Sequence, residues 1–363
     1  MGFRCGIVGL PNVGKSTLFN ALSETAAAEA ANYPFCTIEP NIGRVAVPDP
    51  RLGVLAGIAK SARIVPTSLE FVDIAGLVRG ASKGEGLGNQ FLAHIREVDA
   101  IVHVLRCFED PDVTHVESGI DPLRDAEIVE TELMLADLES LERRLTGLEK
   151  RARGGDRESQ AQLAAIGPVL EALKEGRPAR SVAGPDEEVV RRLQLLTAKP
   201  VVYVCNVDEA AAASGNAFSE RVAERAEKEG ARAIVVSAAI EAEISRLPAE
   251  ERGEFLAGLG LVDAGLDRVI RAGYDLLRLI TFFTAGPKEA RAWTIVRGTQ
   301  APQAAGVIHG DFERGFIAAE TISYADYVAC GGEAGAREKG RMRIEGRDYV
   351  VQDGDVMLFR FNV

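Results

Sequence analysis

Short runs of apolar and β-branched residues recur along the first two thirds of the chain, and stretches with helical spacing of apolar positions separate them. The runs lie at residues 4–10, 44–47, 68–74, 100–106, 201–206 and 233–237. Strands that alternate with helices predict a mostly parallel sheet of the α/β class. In such a sheet, ligands bind at the carboxyl ends of the strands, so functional residues are expected directly after these runs.

A longer helical pattern interrupts this alternation after about residue 120. Two groups of apolar residues step along the chain by 3, 4 and 3 positions, and Gly154 and Gly155 lie between the groups. The members are Leu138, Leu141, Leu145 and Leu148 in the first group, and Leu163, Ile166, Leu170 and Leu173 in the second. This spacing on both sides of a glycine turn predicts an antiparallel coiled-coil hairpin.

The pattern changes again from about residue 281, where short β-like runs with Gly and Pro lie at residues 292–296, 316–319, 349–351 and 356–361. These runs predict a small separate α+β domain. The chain of 363 residues is therefore divided into a first domain of residues 1–120 and 199–279, a helical insertion of residues 121–198 and a C-terminal domain of residues 280–363.

Residues 9–16 read GLPNVGKS, a complete G-x-x-x-x-G-K-S phosphate-binding loop that follows the first predicted strand and precedes an amphipathic stretch. The glycines let backbone N–H groups surround a phosphate, the lysine reaches the β- and γ-oxygens, and the serine hydroxyl can bind Mg²⁺ at a helix N-terminus. The motif predicts a nucleoside triphosphate site. The residues assigned to it here are Asn12, Val13, Gly14, Lys15, Ser16 and Thr17.

A second motif, D-x-x-G, formed by Asp73 and Gly76, follows the strand residues 69–72. In switch NTPases the aspartate holds Mg²⁺ through water and the glycine amide senses the γ-phosphate. A threonine from the preceding segment completes the metal site, and the candidates are Thr37 and Thr67. Thr37 is favoured because Thr67 directly precedes the strand that leads to Asp73.

The base-recognition motif departs from N-K-x-D, since residues 206–209 are Asn206, Val207, Asp208 and Glu209. An aspartate at the last position accepts both N1–H and N2–H₂ of guanine, whereas the longer glutamate misplaces that fork. This favours ATP over GTP, because unpaired buried polar groups discriminate strongly. A one-residue shift in register would instead place Asp208 at the base. A further loop of Ser237, Ala238 and Ala239 resembles one whose backbone N–H groups read the base.

The residue after D-x-x-G is Leu77, at the position of the glutamine that orients the attacking water in Ras-like enzymes. Leucine cannot polarise water, so another side chain must act. The candidates are His94 on a predicted helix, His103 in an apolar strand and His115 in a loop after a strand end. The strand position predicts that His103 belongs to the core, and His115 is favoured by its place at a strand end.

The net charge of −12 excludes a wholly basic nucleic-acid-binding surface, so any RNA contact must come from a local patch. Residues 143–157 hold six basic and two acidic residues, and residues 337–347 hold five basic and two acidic residues. Each patch is interpreted either as a solvated helix face or loop, or as an RNA contact.

Five cysteines without a C-x-x-C pair predict reduced thiols in a cytosolic protein. The first predicted strand is entered by Phe3 with no leader, and no apolar run approaches the roughly 18 residues that a membrane span needs. The sequence therefore predicts a soluble, cytoplasmic protein with no membrane contact.

Taken together, these motifs resemble the YchF family, the Obg-like ATPases in the translation-factor group of P-loop NTPases. The resemblance covers essentially the whole chain, and its motifs lie at residues 1–20, 32–41, 71–90, 106–109, 206–209, 292–294 and 303–306. It implies a G domain with an inserted helical hairpin, a C-terminal TGS domain of β-grasp type, preference for ATP, and association with the ribosome. It also implies that His115 is catalytic and that Asn12 helps bind K⁺.

The leading hypothesis is a slow ATPase switch in which ATP and Mg²⁺ order the segments around Thr37 and Gly76. The alternatives are a nucleotide-dependent ribosome- or RNA-binding module with incidental hydrolysis, and a switch that uses GTP. A metabolic kinase is disfavoured because the sequence contains no visible site for an acceptor substrate.

Overall fold

The computed structural model of the chain describes residues 3–30, 41–74, 87–110, 119–184 and 187–362. Its contacts group these residues into two compact units. The first unit holds most of the chain up to Gly273, and the second holds Tyr274–Val363 together with Ala46–Leu69.

The strands within the described ranges are β1 Arg4–Val8, β2 Ile42–Ala46, β3 Ile64–Val65, β4 Ser68–Asp73, β5 Ala100–Arg106, β6 Val201–Asn206, β7 Arg232–Val236, β8 Leu279–Ala285, β9 Ala290–Val296, β10 Phe316–Ser323, β11 Arg343–Glu345 and β12 Asp355–Phe361.

The helices of the same ranges are α1 Lys15–Ala30, α2 Pro50–Ala59, α3 Leu87–Glu97, α4 Pro122–Arg153, α5 Arg157–Lys174, α6 Glu187–Leu193, α7 Ala217–Lys228, α8 Ala238–Arg246, α9 Ala249–Gly258, α10 Gly265–Leu276, α11 Ala301–Ile308, α12 Gly310–Arg314, α13 Tyr324–Cys330 and α14 Glu333–Glu338. None of the described helices is both long enough and apolar enough to cross a membrane.

The sheet of the first unit has the strand order β2-β4-β1-β5-β6-β7. Neighbouring strands from β4 to β7 pair in parallel, as the alternation of apolar runs and helical patterns predicts. Every residue of β5 and β6 is buried, because central strands of a parallel sheet are covered on both faces. The prediction of a mostly parallel α/β sheet is therefore confirmed.

The insertion folds as the predicted helical hairpin, in which α5 returns along α4 after the turn at Gly154 and Gly155. The apolar positions with coiled-coil spacing meet in one cluster, where Leu141 and Ile166 are fully buried. The chain then returns to the sheet through a buried anchor. The carboxylate of Asp137 accepts hydrogen bonds from the backbone N–H groups of Leu196 and Thr197, both at 2.8 Å.

The second unit is built on a mixed sheet with the strand order β11-β10-β12-β8-β9-β3. Strand β12 pairs in parallel with β8, and the hairpin β8–β9 and the pair β10–β12 are antiparallel. Helix α11 packs on one face, where Ala304 contacts a cluster that contains Phe282 and Phe359. A helix held on a mixed sheet of this order is the β-grasp arrangement.

The segment Ala46–Leu69 belongs to the second unit, although the sequence predicts residues 1–120 as part of the first domain. Helix α2 buries Leu52 and Leu55 in a cluster with Phe283, on the face of the second sheet opposite α11. Strand β3 extends that sheet by pairing in parallel with β9. The apolar pattern of α2 does not reveal which sheet it covers, so the sequence could not place it. The predicted domain boundaries themselves stay a prediction.

One predicted strand of the C-terminal region is wrong. Residues 349–351 form a single antiparallel bridge, between Gln300 and Val350, instead of a strand. Val351 is buried, and its backbone N–H donates to the carbonyl of Thr299 at 3.0 Å. The apolar pattern therefore identified a buried segment correctly, but it did not distinguish a single bridged residue pair from a strand with several paired residues.

Candidate nucleotide-binding site

The phosphate-binding loop connects the end of β1 to the start of α1. Gly14, the residue before α1, has a φ of +96°, which L side chains rarely adopt. A Cβ atom at this position would lie 2.2 Å from the side-chain nitrogen of Asn206. The loop therefore needs glycine here for two separate reasons, its backbone conformation and the close approach of another segment.

Lys15 is buried at the first turn of α1, and its Nζ donates a hydrogen bond to the carbonyl of Leu10 at 2.9 Å. Burial lowers the pKa of Lys15, and the carboxylate of Asp73 acts against that shift. An ammonium group held inside the loop is placed to bind phosphate oxygens.

Asp73 ends β4, and burial raises the pKa of its carboxyl group while Lys15 opposes that change. The buried Oδ1 of Asp73 has no hydrogen-bond partner among the described residues. Ser16 and Thr17 are exposed in the first turn of α1. A buried carboxylate oxygen without a protein partner, together with an exposed hydroxyl, fits the oxygen ligands that Mg²⁺ requires.

The alternative metal ligand, Thr67, is engaged elsewhere. Its hydroxyl is hydrogen-bonded to the hydroxyl of Thr294 on β9, within the second unit. Thr37, which the sequence analysis prefers, lies outside the described residues. The hydrogen bond of Thr67 therefore disfavours it as the threonine ligand of Mg²⁺. Thr37 stays a prediction for that role.

Asn206 joins the phosphate-binding loop to the start of α8. Its Nδ2 donates to the carbonyl of Val13, and its Oδ1 accepts from the backbone N–H of Ala238, both at 2.9 Å. The side chain is buried. Both polar atoms of this amide are therefore used to hold two loops of the site together.

The three residues after Asn206 have different environments. Val207 is only 3 % exposed, and its backbone N–H donates to the carbonyl of Val236. Asp208 accepts from the backbone N–H of Ala211 at 2.9 Å and so caps a short 3₁₀ helix. Glu209 is exposed, and its carboxylate has no hydrogen-bond or ion-pair partner in the part of the chain that the structure describes. The alternative register at Asp208 is disfavoured by this cap.

These residues line a cavity of about 800 Å³ together with the start of α8. Ser237 is buried, and its Oγ has no hydrogen-bond partner within the described ranges. Ala239 is exposed in the first turn of α8. The cavity extends from Gly14 and Thr17 of the phosphate loop to Glu209, so one bound molecule can contact both ends.

Residues after β5, namely Phe108, Glu109 and Asp110, also line the cavity, and they are absent from the site residues that the sequence predicts. Arg106 is buried and donates to the carbonyls of Phe108, at 3.2 Å, and Asp110, at 3.1 Å. Its guanidinium also lies 4.6 Å from the centre of the Phe108 ring. The sequence offers one signal for this part of the cavity: an arginine ends a buried central strand, and an aromatic residue follows two positions later.

Comparison with known proteins places the chain in a family. Over 365 residues it is 59 % identical to a protein of Haemophilus influenzae named ribosome-binding ATPase YchF, with all of both chains covered. The chain belongs to the YchF family. It is also 54 % identical, over 367 residues and the full length of both chains, to the Bacillus subtilis protein of the same name.

Structural and family comparisons agree with this assignment. The solved structure of the Schizosaccharomyces pombe YchF GTPase superimposes with a TM-score of 0.89 at 39 % identity, covering 99 % of this chain and 98 % of that one. A family model of the C-terminal region of YchF GTPases, described as a protein of unknown function, matches residues 279–362. A model described as a 50S ribosome-binding GTPase matches residues 4–143. The fold is thus that of a P-loop NTPase with the additional parts of YchF proteins.

Gly76, which the D-x-x-G motif predicts as a switch residue, lies outside the described residues, as do Leu77 and His115. Of the other two histidine candidates, His94 is exposed on α3. His103 is buried in β5, where burial lowers its pKa to about 3, with smaller effects from Arg225, Arg180 and Lys15. The prediction that His103 is a core residue is confirmed.

The two basic patches differ in how far acidic neighbours neutralise them. In residues 337–347, Arg337 pairs with Glu320 and Glu333, and Arg343 pairs with Glu345 at 3.0 Å, while Arg347 donates to the carbonyl of Phe316.

The patch on the YchF hairpin is less neutralised. Arg143 and Arg153 each have an acidic partner one turn away, at 4.0 and 3.6 Å. Lys150 and Arg157 are exposed and form no ion pair with the described residues. The hairpin tip therefore carries positive charge that remains available to a partner.

Proposed function

We propose that this chain binds ATP with Mg²⁺, hydrolyses it slowly, and acts as a nucleotide-dependent switch on the ribosome. The observation that carries the proposal is the continuous cavity from Gly14 to Glu209, whose two ends are tied together by Asn206. The relatives from Haemophilus influenzae and Bacillus subtilis are named ribosome-binding ATPases. The Schizosaccharomyces pombe relative is named a GTPase, so the names of the relatives do not decide which base is bound.

Preference for adenine rests on Glu209 and Val207. Glu209 has a free carboxylate at the cavity, which can accept a hydrogen bond from the amino group of adenine. The side chain of Glu209 is one methylene longer than that of aspartate. Its carboxylate is therefore displaced from the position at which an aspartate accepts from both N1–H and N2–H₂ of guanine. Val207 is buried and apolar, and the ring of Phe108, which lines the same cavity, offers a face for a base. A site whose polar groups remain unpaired with guanine rejects it.

At the other end, the loop N–H groups and Lys15 bind the phosphates, aided by the N-terminus of α1. Ser16 and Asp73 would hold Mg²⁺, with Thr37 as the third protein contributor. When bound, the ion neutralises charge on the phosphate oxygens. Asn12 would contribute to a K⁺ site near the phosphates. The conformation of Gly76 and Leu77 would depend on whether the γ-phosphate is bound.

Slow turnover follows from Leu77, which cannot orient water, and we assign the orienting role to His115. His115→Ala should reduce hydrolysis by about 10²-fold and leave ATP affinity nearly unchanged, because such a contact is made chiefly in the transition state. His94→Ala is the matched control and should keep wild-type turnover. Near-normal turnover of His115→Ala, or loss of ATP binding in step with rate, would remove His115 from the mechanism.

For the ribosome, we favour the hairpin tip as the RNA contact, since Lys150 and Arg157 are not neutralised there. The patch at residues 337–347 is a weaker candidate, because most of its arginines are paired. Association with ribosomes also implies a cytoplasmic protein.

The decisive experiment follows ATP turnover with and without ribosomes, in KCl and in NaCl. We expect an intrinsic rate of roughly 10⁻⁴ to 10⁻² s⁻¹, as in unassisted switch NTPases. Ribosomes should raise the rate, and K⁺ should raise it relative to Na⁺. Ribosome binding without any stimulation would favour the alternative of a binding module with incidental hydrolysis. A partner-free rate above about 1 s⁻¹ would exclude a switch of this class.

A further inference from the structure

A second cavity, of about 140 Å³, lies within the first unit and does not share residues with the nucleotide site. Four helices surround it, and each contributes an apolar side chain: Leu22 from α1, Ile244 from α8, Leu256 from α9 and Ile270 from α10. Apolar cavities of about 150 Å³ hold a molecule the size of benzene. The space therefore suits a ligand with a single ring or a short branched chain.

One carboxylate at this cavity, which Arg252 also lines, has no direct hydrogen-bond or ion-pair partner among the described residues. Asp267 lines the cavity, and its carboxylate forms no hydrogen bond or ion pair with any residue that the structure describes. The charges of Arg271 and Arg252 act on Asp267, but both side chains are bonded to other groups. Arg271 pairs with Asp263 at 2.7 Å, and Arg252 donates to the carbonyl of Leu247 at 3.1 Å.

The other carboxylate at the cavity provides a contrast. Glu241 is buried, and it accepts hydrogen bonds from the backbone N–H groups of Gly265, at 2.6 Å, and Leu266, at 3.1 Å. It therefore has a structural role at the start of α10. Asp267 lies in the first turn of the same helix, where the helix dipole favours a carboxylate but supplies it with no direct donor. Burial raises the pKa of Asp267, and the charges of Arg271 and Arg252 oppose that rise.

We propose that this cavity binds a small apolar ammonium ion, whose nitrogen donates to Asp267 and whose hydrocarbon part contacts Leu256 and Ile270. The ammonium supplies a direct donor and a closer opposite charge to this half-buried carboxylate, and the four apolar side chains supply the surface for the hydrocarbon. Helices α1 and α8 both begin at the nucleotide site and reach the cavity with their later turns. The ligand would thus lie at the far ends of two helices that form the nucleotide site.

Benzylamine, which is protonated at pH 7.5, is the probe, and methyl NMR of the full-length protein is the measurement. We expect a Kd of about 1 mM, a typical affinity for a ligand of this size, with the shifts centred on the methyl groups of Ile244, Leu256 and Ile270. Benzyl alcohol has the same shape without the charge and should bind at least about 10-fold more weakly. Benzoate should not bind. Equal binding of benzylamine and benzoate, or shifts centred on the nucleotide site, would overturn the proposal.

Two variants test separately how the charge of Asp267 and the volume of the cavity contribute to benzylamine binding. Asp267→Asn should weaken benzylamine binding at least about 10-fold and leave benzyl alcohol binding unchanged, since it removes the charge but little volume. Glu254→Gln is the matched control, because Glu254 is an exposed carboxylate on α9 that does not line the cavity.

Ala264→Leu adds a side chain that fills the cavity and should abolish binding of both probes. Thermal unfolding checks that each variant is folded. If Asp267→Asn fails to fold, Ala264→Leu decides, and benzylamine binding retained by Ala264→Leu would refute the assignment of this cavity.

Discussion

The two ends of the nucleotide site are built in different ways. Among the described residues, the phosphate end is almost contiguous in sequence, since the loop and the first turn of α1 provide most of it and Asp73 joins them from the end of β4. The base end combines residues 108–110, 206–209 and 237–239, which lie at the carboxyl ends of three different strands. A local motif can therefore specify phosphate binding, whereas base selection depends on how the strands are arranged.

Asn206 is the residue at which the two ends meet. Its amide binds Val13 on the phosphate side and Ala238 on the base side. A change at the phosphate end should affect ATP and GTP equally, and a change at the base end should alter their ratio. A change at Asn206 should weaken both nucleotides and also the fold.

The largest effect is expected at the phosphate end. Lys15→Ala should lower single-turnover hydrolysis by about 10² to 10³-fold for ATP and GTP alike, because it removes a buried cation from the phosphate oxygens. Lys174→Ala, at an exposed position on α5, is the control and should have wild-type rates. A loss confined to one of the two nucleotides would contradict the division between the ends.

The second-largest effect is expected from replacing Asn206, which connects the phosphate end of the site to the base end. Asn206→Ala leaves a buried carbonyl and a buried N–H without partners, so the free energy of unfolding should fall by about 2 kcal/mol. Affinity for ATP and GTP should fall together. Denaturant unfolding and fluorescence titration measure the two quantities, with Asn20→Ala on the exposed side of α1 as control. Unchanged stability would mean that the bridge through Asn206 contributes little.

A smaller effect is expected from Glu209, and it should appear only in the ratio of affinities. Glu209→Asp restores the shorter carboxylate and should shift the ratio toward GTP by about 10-fold. Combination with Val207→Lys should increase the shift. Because Val207 is only 3 % exposed, the double variant needs a check of folding, and the single variant is the cleaner test. A shift toward ATP would reverse the role given to Glu209.

The smallest effect belongs to Asp208. Asp208→Ala removes the cap on the 3₁₀ helix and should lower the free energy of unfolding by about 1 kcal/mol, with no change in the ratio of ATP to GTP affinity. Calorimetry and nucleotide titration test this. If the ratio changes instead of the stability, the alternative register, with Asp208 at the base, is correct.

The sequence predicted the parts of the molecule that are encoded locally. The loop from Gly9 to Ser16, the hairpin with its coiled-coil spacing and the parallel strands all follow from short-range patterns, and the structure has them. The core position of His103 followed from its place in an apolar strand.

The sequence did not predict features that depend on contacts between distant residues. Helix α2 has an apolar pattern that fits either sheet, and only its contact with Phe283 assigns it to the second. The Phe108 wall depends on how Arg106 folds the loop after β5. Likewise, the role of Asp208 as a cap is visible only once the position of Ala211 is known.

The central claim, that the base end selects adenine, is tested most directly by equilibrium titration of the wild-type chain with ATP, GTP, ADP and GDP at fixed Mg²⁺. The account predicts that ATP binds more tightly than GTP and ADP more tightly than GDP by the same factor, because the base end reads the base independently of the γ-phosphate. Tighter binding of GTP than ATP would contradict the role assigned to Glu209 and Val207.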